Sequence, residues 1–364
     1  MTLSALKDKT EAPVQSAPPL RPPSDFQRNN FNLLRLLAAG QVLLFHSMHI
    51  LHINAPTWLA PLKAFPGVPI FFVISGFLVS ASYERSSSLS SYFRNRFLRI
   101  YPGLWAVVIL TVVVASLFGF SFLHPGAVTW EIAQLAGLIY TPGFLRSFGY
   151  GSYNASLWTI PLELQFYIVL PLLYWLAGRW SSTTRALLVL FAAFSAIAWL
   201  TAWFLPNLGL PAETGLEKLY RYTFVPHVFL FLAGVLLQRL GAHDSGLFRG
   251  KLVHWTVAYV VFDLAMPSSP HVYVPTLLFL GGWAISFAYS WPGLSDRLLG
   301  DIDISYGTYI YHGLVLNVLV ALGWLVQPVL VPVVFVATVV FGYLSWTLVE
   351  RPCLRRKSYT LRSV

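Results

Sequence analysis

The chain has 364 residues, of which 56% are hydrophobic and only 10% carry a formal charge. Soluble domains carry about a quarter charged residues, so this composition excludes an ordinary soluble protein and indicates a polytopic membrane protein. The net charge of +10 fits cytoplasmic segments that face anionic lipid, and we expect no nucleic-acid partner. The single cysteine excludes an intramolecular disulfide framework.

The two ends of the chain differ in composition from the region between them. Residues 1–29 are polar and rich in proline, which is typical of a disordered segment. The last residues are basic. We predict a disordered cytoplasmic tail over 1–29, a transmembrane domain over 30–352 and a basic cytoplasmic tail over 353–364.

Long apolar stretches recur along the transmembrane domain. A helix needs about 20 apolar residues to cross a bilayer, and about ten stretches approach this length. We therefore predict an all-α integral membrane protein with about ten transmembrane helices. They fall near residues 31–53, 66–83, 102–123, 157–176, 186–205, 223–240, 252–266, 273–290, 304–325 and 330–349. The Gly-rich residues 124–155 are predicted as an outer loop.

Lysine and arginine are distributed unevenly between the segments that connect these stretches. Most of the 24 fall on the side that holds the N-terminus. Cytoplasmic loops of membrane proteins carry an excess of Lys and Arg, so we predict that both termini are cytoplasmic.

The first apolar stretch carries two polar residues, Arg35 and His46. At about 100° per residue, their spacing corresponds to three turns plus roughly 20°, so both side chains point to one side of the helix. A guanidinium inside a membrane normally faces a protein interior or a polar cavity. The alternative is that Arg35 reaches the membrane surface and that His46 is a hydrogen-bonded core residue.

Two further arginines, Arg96 and Arg99, precede the third apolar stretch and are three residues apart. They share one face if this segment is helical. Guanidinium groups bind phosphate through paired hydrogen bonds, so an anionic cosubstrate is a reasonable ligand. The alternative is that these arginines only bind lipid headgroups.

Glu163 lies in the apolar stretch SLWTIPLELQFYIVLP, where a buried carboxylate needs a partner. It orients an imidazole or forms a static salt bridge. Tyr309 and His312 recur at a spacing of three and share a helix face, where they line a polar cavity or satisfy each other's hydrogen bonds. We expect no metal site, because His49 and His52 lack a companion pair of ligands.

Six motifs occur in a characteristic order. They are Arg35 with His46, GVPIFFVISGFL at 67–78, RFLRIYP at 96–102, SLWTIPLELQFYIVLP at 156–171, ISYGTYIYHGLV at 304–315 and WTLVERP at 346–352. Together they resemble the membrane-bound acyltransferase 3 family, the bacterial polysaccharide O-acyltransferases. The resemblance covers about residues 28–356, so the transmembrane domain would be the acyltransferase domain.

This resemblance implies a multi-pass protein of the bacterial cytoplasmic membrane. Cytoplasmic acyl-CoA, with acetyl-CoA expected, would donate its acyl group to a hydroxyl of a surface or exported carbohydrate. His46 matches the essential histidine of the family, and Arg35, Arg96 and Arg99 match its CoA-side arginines. Trp158 and Glu163 match the pattern of the fourth stretch.

Two mechanisms fit these residues. In direct transfer His46 is the general base, Glu163 orients it, and Ser75 or Tyr309 stabilises the developing oxyanion. In the other mechanism His46 is transiently acylated. A different class of function, a transporter or flippase for a lipid-linked or anionic solute, would also use intramembrane charges, but we find no internal inverted repeat. The oligomeric state and the acceptor are left open.

Overall fold

The computed structural model describes residues 26–207, 220, 222–266 and 270–357. Within these ranges the chain forms helices and no β-strand, which confirms the all-α prediction. Of the two predicted tails, residues 1–25 and 358–364 lie outside these ranges. Phe26, which the sequence assigns to the first tail, stacks on Phe77 with ring centroids 5.8 Å apart.

Thirteen α-helices are described in these ranges. Their bounds are α1 Phe31–Ile50, α2 Gly67–Arg85, α3 Leu89–Leu117, α4 Pro125–Leu135, α5 Thr159–Ala177, α6 Thr183–Asn207, α7 Val228–Arg239, α8 Leu252–Ala265, α9 Pro270–Ala288, α10 Leu294–Leu299, α11 Ser305–Ala321, α12 Leu330–Ser345 and α13 Arg351–Leu354. Short 3₁₀ helices span Thr57–Ala64, Gly143–Leu145 and Ala155–Trp158, and a π-helical turn spans Trp346–Glu350.

Seven of the described helical segments are long and apolar enough to cross a membrane. Helices α7 and α8 are apolar but shorter. The chain is therefore an integral membrane protein, while the total of about ten spans and the cytoplasmic termini remain predictions.

Two elements differ from the sequence prediction. The third stretch was expected to begin near Pro102, but α3 begins at Leu89 and continues through this proline. Ser88 caps it by accepting a hydrogen bond from the backbone N–H of Ser91 at 3.1 Å, so the polar arginine segment is helical. The predicted outer loop contains α4, which begins with Pro125, a residue favoured in a first helical turn.

Hydrogen bonds at one end of the bundle show that neighbouring helices run in opposite directions. The backbone N–H of Asn30, before α1, donates to the carbonyl of Ala288 at the end of α9 at 2.8 Å. The backbone N–H of Leu252, at the start of α8, donates to Ser290, just after α9, at 3.1 Å. The starts of α1 and α8 therefore meet the end of α9.

Glycines let two pairs of helices approach closely. A Cβ atom on Gly76 of α2 would collide with the carbonyl oxygen of Phe231 in α7, and one on Gly234 of α7 would collide with the carbonyl oxygen of Val73. In the second pair, a Cβ on Gly307 of α11 would lie 2.7 Å from the Cα of Gly342 in α12. Helix α1 packs against both pairs.

Candidate functional site

A cavity of about 90 Å³ lies between α1, α2, α3, α5 and α11, and we call it the central cavity. Most of its apolar side chains come from α2, and each of the five helices contributes at least one polar side chain. The lining residues are Arg35, Val68, Phe71, Phe72, Ile74, Ser75, Leu78, Val79, Arg96, Arg99, Ile100, Thr159, Ile160, Glu163, Tyr167, Ser305, Tyr306 and Tyr309. Six of the residues singled out in the sequence, namely Arg35, Ser75, Arg96, Arg99, Glu163 and Tyr309, therefore share one cavity.

Two of these arginines share a buried carboxylate. Asp303, in the loop before α11, accepts a hydrogen bond from Nη2 of Arg99 at 2.8 Å through its Oδ2 atom. Nη1 of Arg35 approaches the same oxygen at 3.5 Å. The other carboxylate oxygen accepts from the hydroxyl of Ser305 at 2.6 Å. Asp303 is 7% exposed and therefore supplies the partner that a buried Arg35 requires.

The two guanidinium groups determine the charge of Asp303. Burial of this carboxyl acts to raise its pKa, but the charges of Arg99 and Arg35 outweigh burial and hold the pKa at about 2. The carboxylate is therefore ionised at neutral pH, and the three groups together retain a net positive charge. An anionic ligand would be attracted to this part of the central cavity.

Arg96 lies beside the pair formed by Arg35 and Arg99 but has different contacts. Its Nη2 donates to the hydroxyl of Ser82 at 3.2 Å, and its guanidinium lies 5.6 Å from the centroid of the Tyr167 ring. Its Nε is buried and makes no hydrogen bond to a described residue. Buried donors are normally paired, so this N–H is available to a ligand.

The carboxylate of Glu163 is held by residues other than His46. Its Oε1 accepts hydrogen bonds from the hydroxyls of Tyr167, one turn further along α5, and of Ser75 on α2, the latter at 3.3 Å. Glu163 contacts α2 and His46 contacts α11 in this structure, and a role of Glu163 in orienting His46 stays a prediction. Ser75 already donates to Glu163, which removes it as a free oxyanion donor in this arrangement.

His46 is paired with His312 of α11. Nδ1 of His46 lies 3.0 Å from Nε2 of His312, and the ring centroids are 5.1 Å apart. His312 is completely buried, whereas His46 is partly exposed. Since Arg35 contacts Asp303 just before α11, Arg35 and His46 both point toward this helix and the loop that precedes it. His46 is not part of the described lining of the central cavity.

Tyr309 connects the central cavity to the histidine pair. It belongs to the cavity lining, and its ring contacts that of His312 with centroids 5.9 Å apart. Its hydroxyl oxygen accepts a hydrogen bond from Thr159 at 3.0 Å. The hydroxyl proton of Tyr309 can therefore be offered to a ligand.

The remaining sequence-selected residues lie elsewhere. Trp158 lies in the 3₁₀ helix before α5, where its ring contacts those of Tyr222 and His227 at 6.0 and 5.9 Å between centroids. His49 and His52 are exposed. Among the described residues no group of three or more His, Cys, Asp or Glu side chains could hold a metal ion.

Comparison with known proteins identifies the family to which this arrangement belongs. The sequence matches the family described as an acyltransferase domain over residues 28–347. The chain belongs to the acyltransferase 3 family. This assignment confirms the resemblance seen in the six motifs and makes the chain an integral membrane acyltransferase.

Relatives of this acyltransferase include proteins of bacteria and of a bacteriophage. It is 34% identical to nodulation protein 10 of Rhizobium leguminosarum bv. viciae over 92% of this chain and 95% of that protein. It is 26% identical to an O-acetyl transferase of Shigella phage Sf6, over 91% and 97% of the two chains. The peptidoglycan O-acetyltransferase OatA of Listeria monocytogenes is 24% identical over 39% of this chain and 25% of its own length. No solved structure matches the acyltransferase.

Sequence reasoning assigned no role to two residues that contact the predicted site residues, Asp303 and Tyr167. A signal for Asp303 existed, because a buried Arg35 needs an acid, and Asp303 directly precedes the motif at 304–315. Tyr167 shares a helix face with Glu163 at a spacing of four.

Proposed function

We propose that this acyltransferase is an O-acetyltransferase of the bacterial cytoplasmic membrane. It takes an acetyl group from cytoplasmic acetyl-CoA and transfers it to a hydroxyl of a surface or exported carbohydrate. One observation carries the proposal: a buried cavity with three arginines at one side is connected through Tyr309 and His312 to His46. An anion-binding site and a titratable base are thus joined in one polar path.

The arginines are suited to the phosphates of CoA. Coenzyme A carries a pyrophosphate and a 3′-phosphate, and guanidinium groups bind phosphate oxygens through paired, charge-assisted hydrogen bonds. Arg96 has a buried N–H available, and the pair of Arg35 and Arg99 has a net positive charge beside Asp303. The thin pantetheine arm would then extend along the central cavity toward Tyr309.

The contact between the histidines supports His46 as the base. Nδ1 of His312 points toward the carbonyls of Thr308 and Tyr309, although it makes no hydrogen bond of normal geometry. If that nitrogen carries the proton of His312, its Nε2 accepts from Nδ1–H of His46. Nε2 of His46 then keeps its lone pair, which a general base requires. His312 would therefore position His46 and select its tautomer.

The chemical step follows from these roles. The acceptor hydroxyl gives its proton to Nε2 of His46 while its oxygen bonds to the thioester carbonyl carbon. The hydroxyl of Tyr309 donates to the oxyanion that develops on the carbonyl oxygen. The carbon–sulfur bond then breaks, and the departing thiolate of CoA takes the proton from His46. Covalent acylation of His46 followed by transfer is the alternative order of events.

The relatives support the reaction type and the acceptor class. Two of them carry names that describe transfer of O-acetyl groups, and one of these names peptidoglycan as its substrate. Peptidoglycan is a carbohydrate polymer outside the cytoplasmic membrane, which agrees with the proposed topology.

The first experiment measures donor binding. Isothermal calorimetry of acetyl-CoA with the purified protein in detergent should give saturable binding, and Arg35→Ala should weaken it. No binding by folded wild-type protein would refute acetyl-CoA as the donor, and failure of other acyl-CoA species would favour the transporter interpretation.

The second experiment measures transfer. Membrane vesicles that contain the protein and its native glycan are given acetyl-CoA with a radiolabelled acetyl group, and label that mild alkali releases from carbohydrate is counted. Wild-type protein should transfer label, and His46→Ala should abolish transfer while acetyl-CoA affinity stays within about threefold. Full transfer by His46→Ala would remove His46 from the mechanism.

A further inference from the structure

The segment after the π-helical turn folds back onto α3, where the cavity arginines lie. We call residues Arg351–Lys357 the basic segment. Arg351 forms an ion pair with Asp301, in the same loop as Asp303. Nη2 of Arg94 on α3 donates to the backbone carbonyl of Arg356 at 3.2 Å. The basic segment is thus attached at two points next to Arg99.

Lys357, the last residue of this segment, lies among like charges. Burial and the charges of Arg99, Arg96 and Arg35 lower the pKa of its ammonium group to about 7, and Asp303 opposes this effect. The other charged groups packed near this segment include Arg94 on α3, the ion pair of Asp301 with Arg351, and Glu350, which interacts with Arg99. Lysine side chains normally avoid such surroundings, because three guanidinium groups repel the ammonium.

We propose that Lys357 belongs to the donor site and binds a phosphate of acetyl-CoA. The assignment rests on the proposed function and extends it to a residue outside the motifs of the family. The position supports it, because Arg94, on the same helix as Arg96 and Arg99, donates to the carbonyl of Arg356, the residue before Lys357. Lys357 is not among the residues that line the central cavity, so a phosphate bound to it would lie at the edge of the cavity with the pantetheine arm inside.

An anion at this position resolves the electrostatic conflict. A phosphate placed between Lys357 and the arginines would replace repulsion by charge-assisted hydrogen bonds and would keep the lysine protonated. The donor would therefore bind with uptake of a proton when the free lysine is neutral.

The test compares acetyl-CoA affinity by calorimetry in wild type, Lys357→Ala and Arg355→Ala. Arg355 is an exposed cation of the same segment and serves as the matched control. We expect Lys357→Ala to weaken binding about tenfold and Arg355→Ala to change it less than about twofold. Equal affinity in wild type and Lys357→Ala would overturn the assignment of Lys357 and leave the proposed function intact. Equal weakening in both variants would also overturn it, because a general charge effect would then suffice.

The pH dependence provides a second, independent readout. Wild-type affinity should fall as the pH rises from the pKa of about 7 toward about 9, because the free lysine loses its proton. Lys357→Arg keeps a charge that does not titrate in this range, so its affinity should fall less steeply with pH than that of wild type. A wild-type profile as flat as that of Lys357→Arg would overturn the proposal.

A modified donor identifies which phosphate is bound. Acetyl-dephospho-CoA lacks the 3′-phosphate. If Lys357 binds the 3′-phosphate, wild type and Lys357→Ala should bind this donor with equal affinity. If Lys357 binds the pyrophosphate, Lys357→Ala should still bind it more weakly than wild type does. No binding of either donor to folded wild-type protein would overturn both the proposed function and this assignment.

Discussion

The substitution Asp303→Asn tests how the buried charges stabilise the fold. It removes the negative charge between Arg35 and Arg99 and keeps the shape of the side chain. The pKa of this carboxyl lies at about 2 rather than at 3.8, a difference that corresponds to about 2 kcal/mol of folding free energy. Because the pKa is lowered on folding, this contribution is complete at neutral pH and is lost as the pH falls from about 4 toward 2.

Loss of the carboxylate also leaves two buried cations without a counter-charge. Removal of one partner of a buried ion pair costs about 3–5 kcal/mol. Since Asp303 is only 7% exposed, we expect Asp303→Asn to reduce the free energy of unfolding by about 3 kcal/mol at neutral pH.

The same loop provides a matched control. Asp301 forms an ion pair with Arg351, but its side chain is 70% exposed. Exposed ion pairs contribute about 0–1 kcal/mol, so Asp301→Asn should change stability by less than about 1 kcal/mol. Both variants are unfolded with increasing SDS in mixed micelles and followed by tryptophan fluorescence. Equal losses in the two variants would refute the argument that burial of the Asp303 carboxylate determines its contribution.

Two further predictions concern the histidine pair and the close helix contacts. His312→Ala should lower the turnover number about tenfold at unchanged KM for acetyl-CoA. His312→Gln should recover part of this loss, because its amide oxygen still accepts a hydrogen bond from His46. Equal turnover numbers in the two variants would argue against tautomer selection by His312. Gly76→Ala should destabilise the protein by about 1–3 kcal/mol, because the added methyl group overpacks the contact with α7. Gly40→Ala is the control: its Cβ would meet only Phe335 at 3.9 Å, so it should be neutral or stabilising. Thermal unfolding in one detergent measures both glycine variants, and a Gly76→Ala protein as stable as wild type would contradict the close contact of α2 and α7.

Hydropathy was sufficient to predict most helices, because a span must satisfy its backbone hydrogen bonds internally. It failed where polar residues continue a helix. Helix α3 begins at Leu89 because Ser88 caps it, and no apolar stretch marks that start. The side shared by Arg35 and His46 followed from helix geometry alone.

Contacts between helices were harder to predict. The pairing of Glu163 with Ser75 and Tyr167, rather than with His46, depends on which helices are neighbours and on their rotation about their axes. Neither quantity is encoded in the spacing of residues within one helix. For the same reason the spacing of residues could not select Asp303, among the acids of the chain, as the partner of a buried Arg35.

The glycine contacts described in the fold restrict how the acyltransferase can open. Interlocked backbones make the α2–α7 pair and the α11–α12 pair move as rigid bodies. The contact between Arg99 on α3 and Asp303, in the loop before α11, is by contrast an ion pair between side chains. Under the proposed function, a donor phosphate that binds Arg99 would compete with Asp303 for this guanidinium.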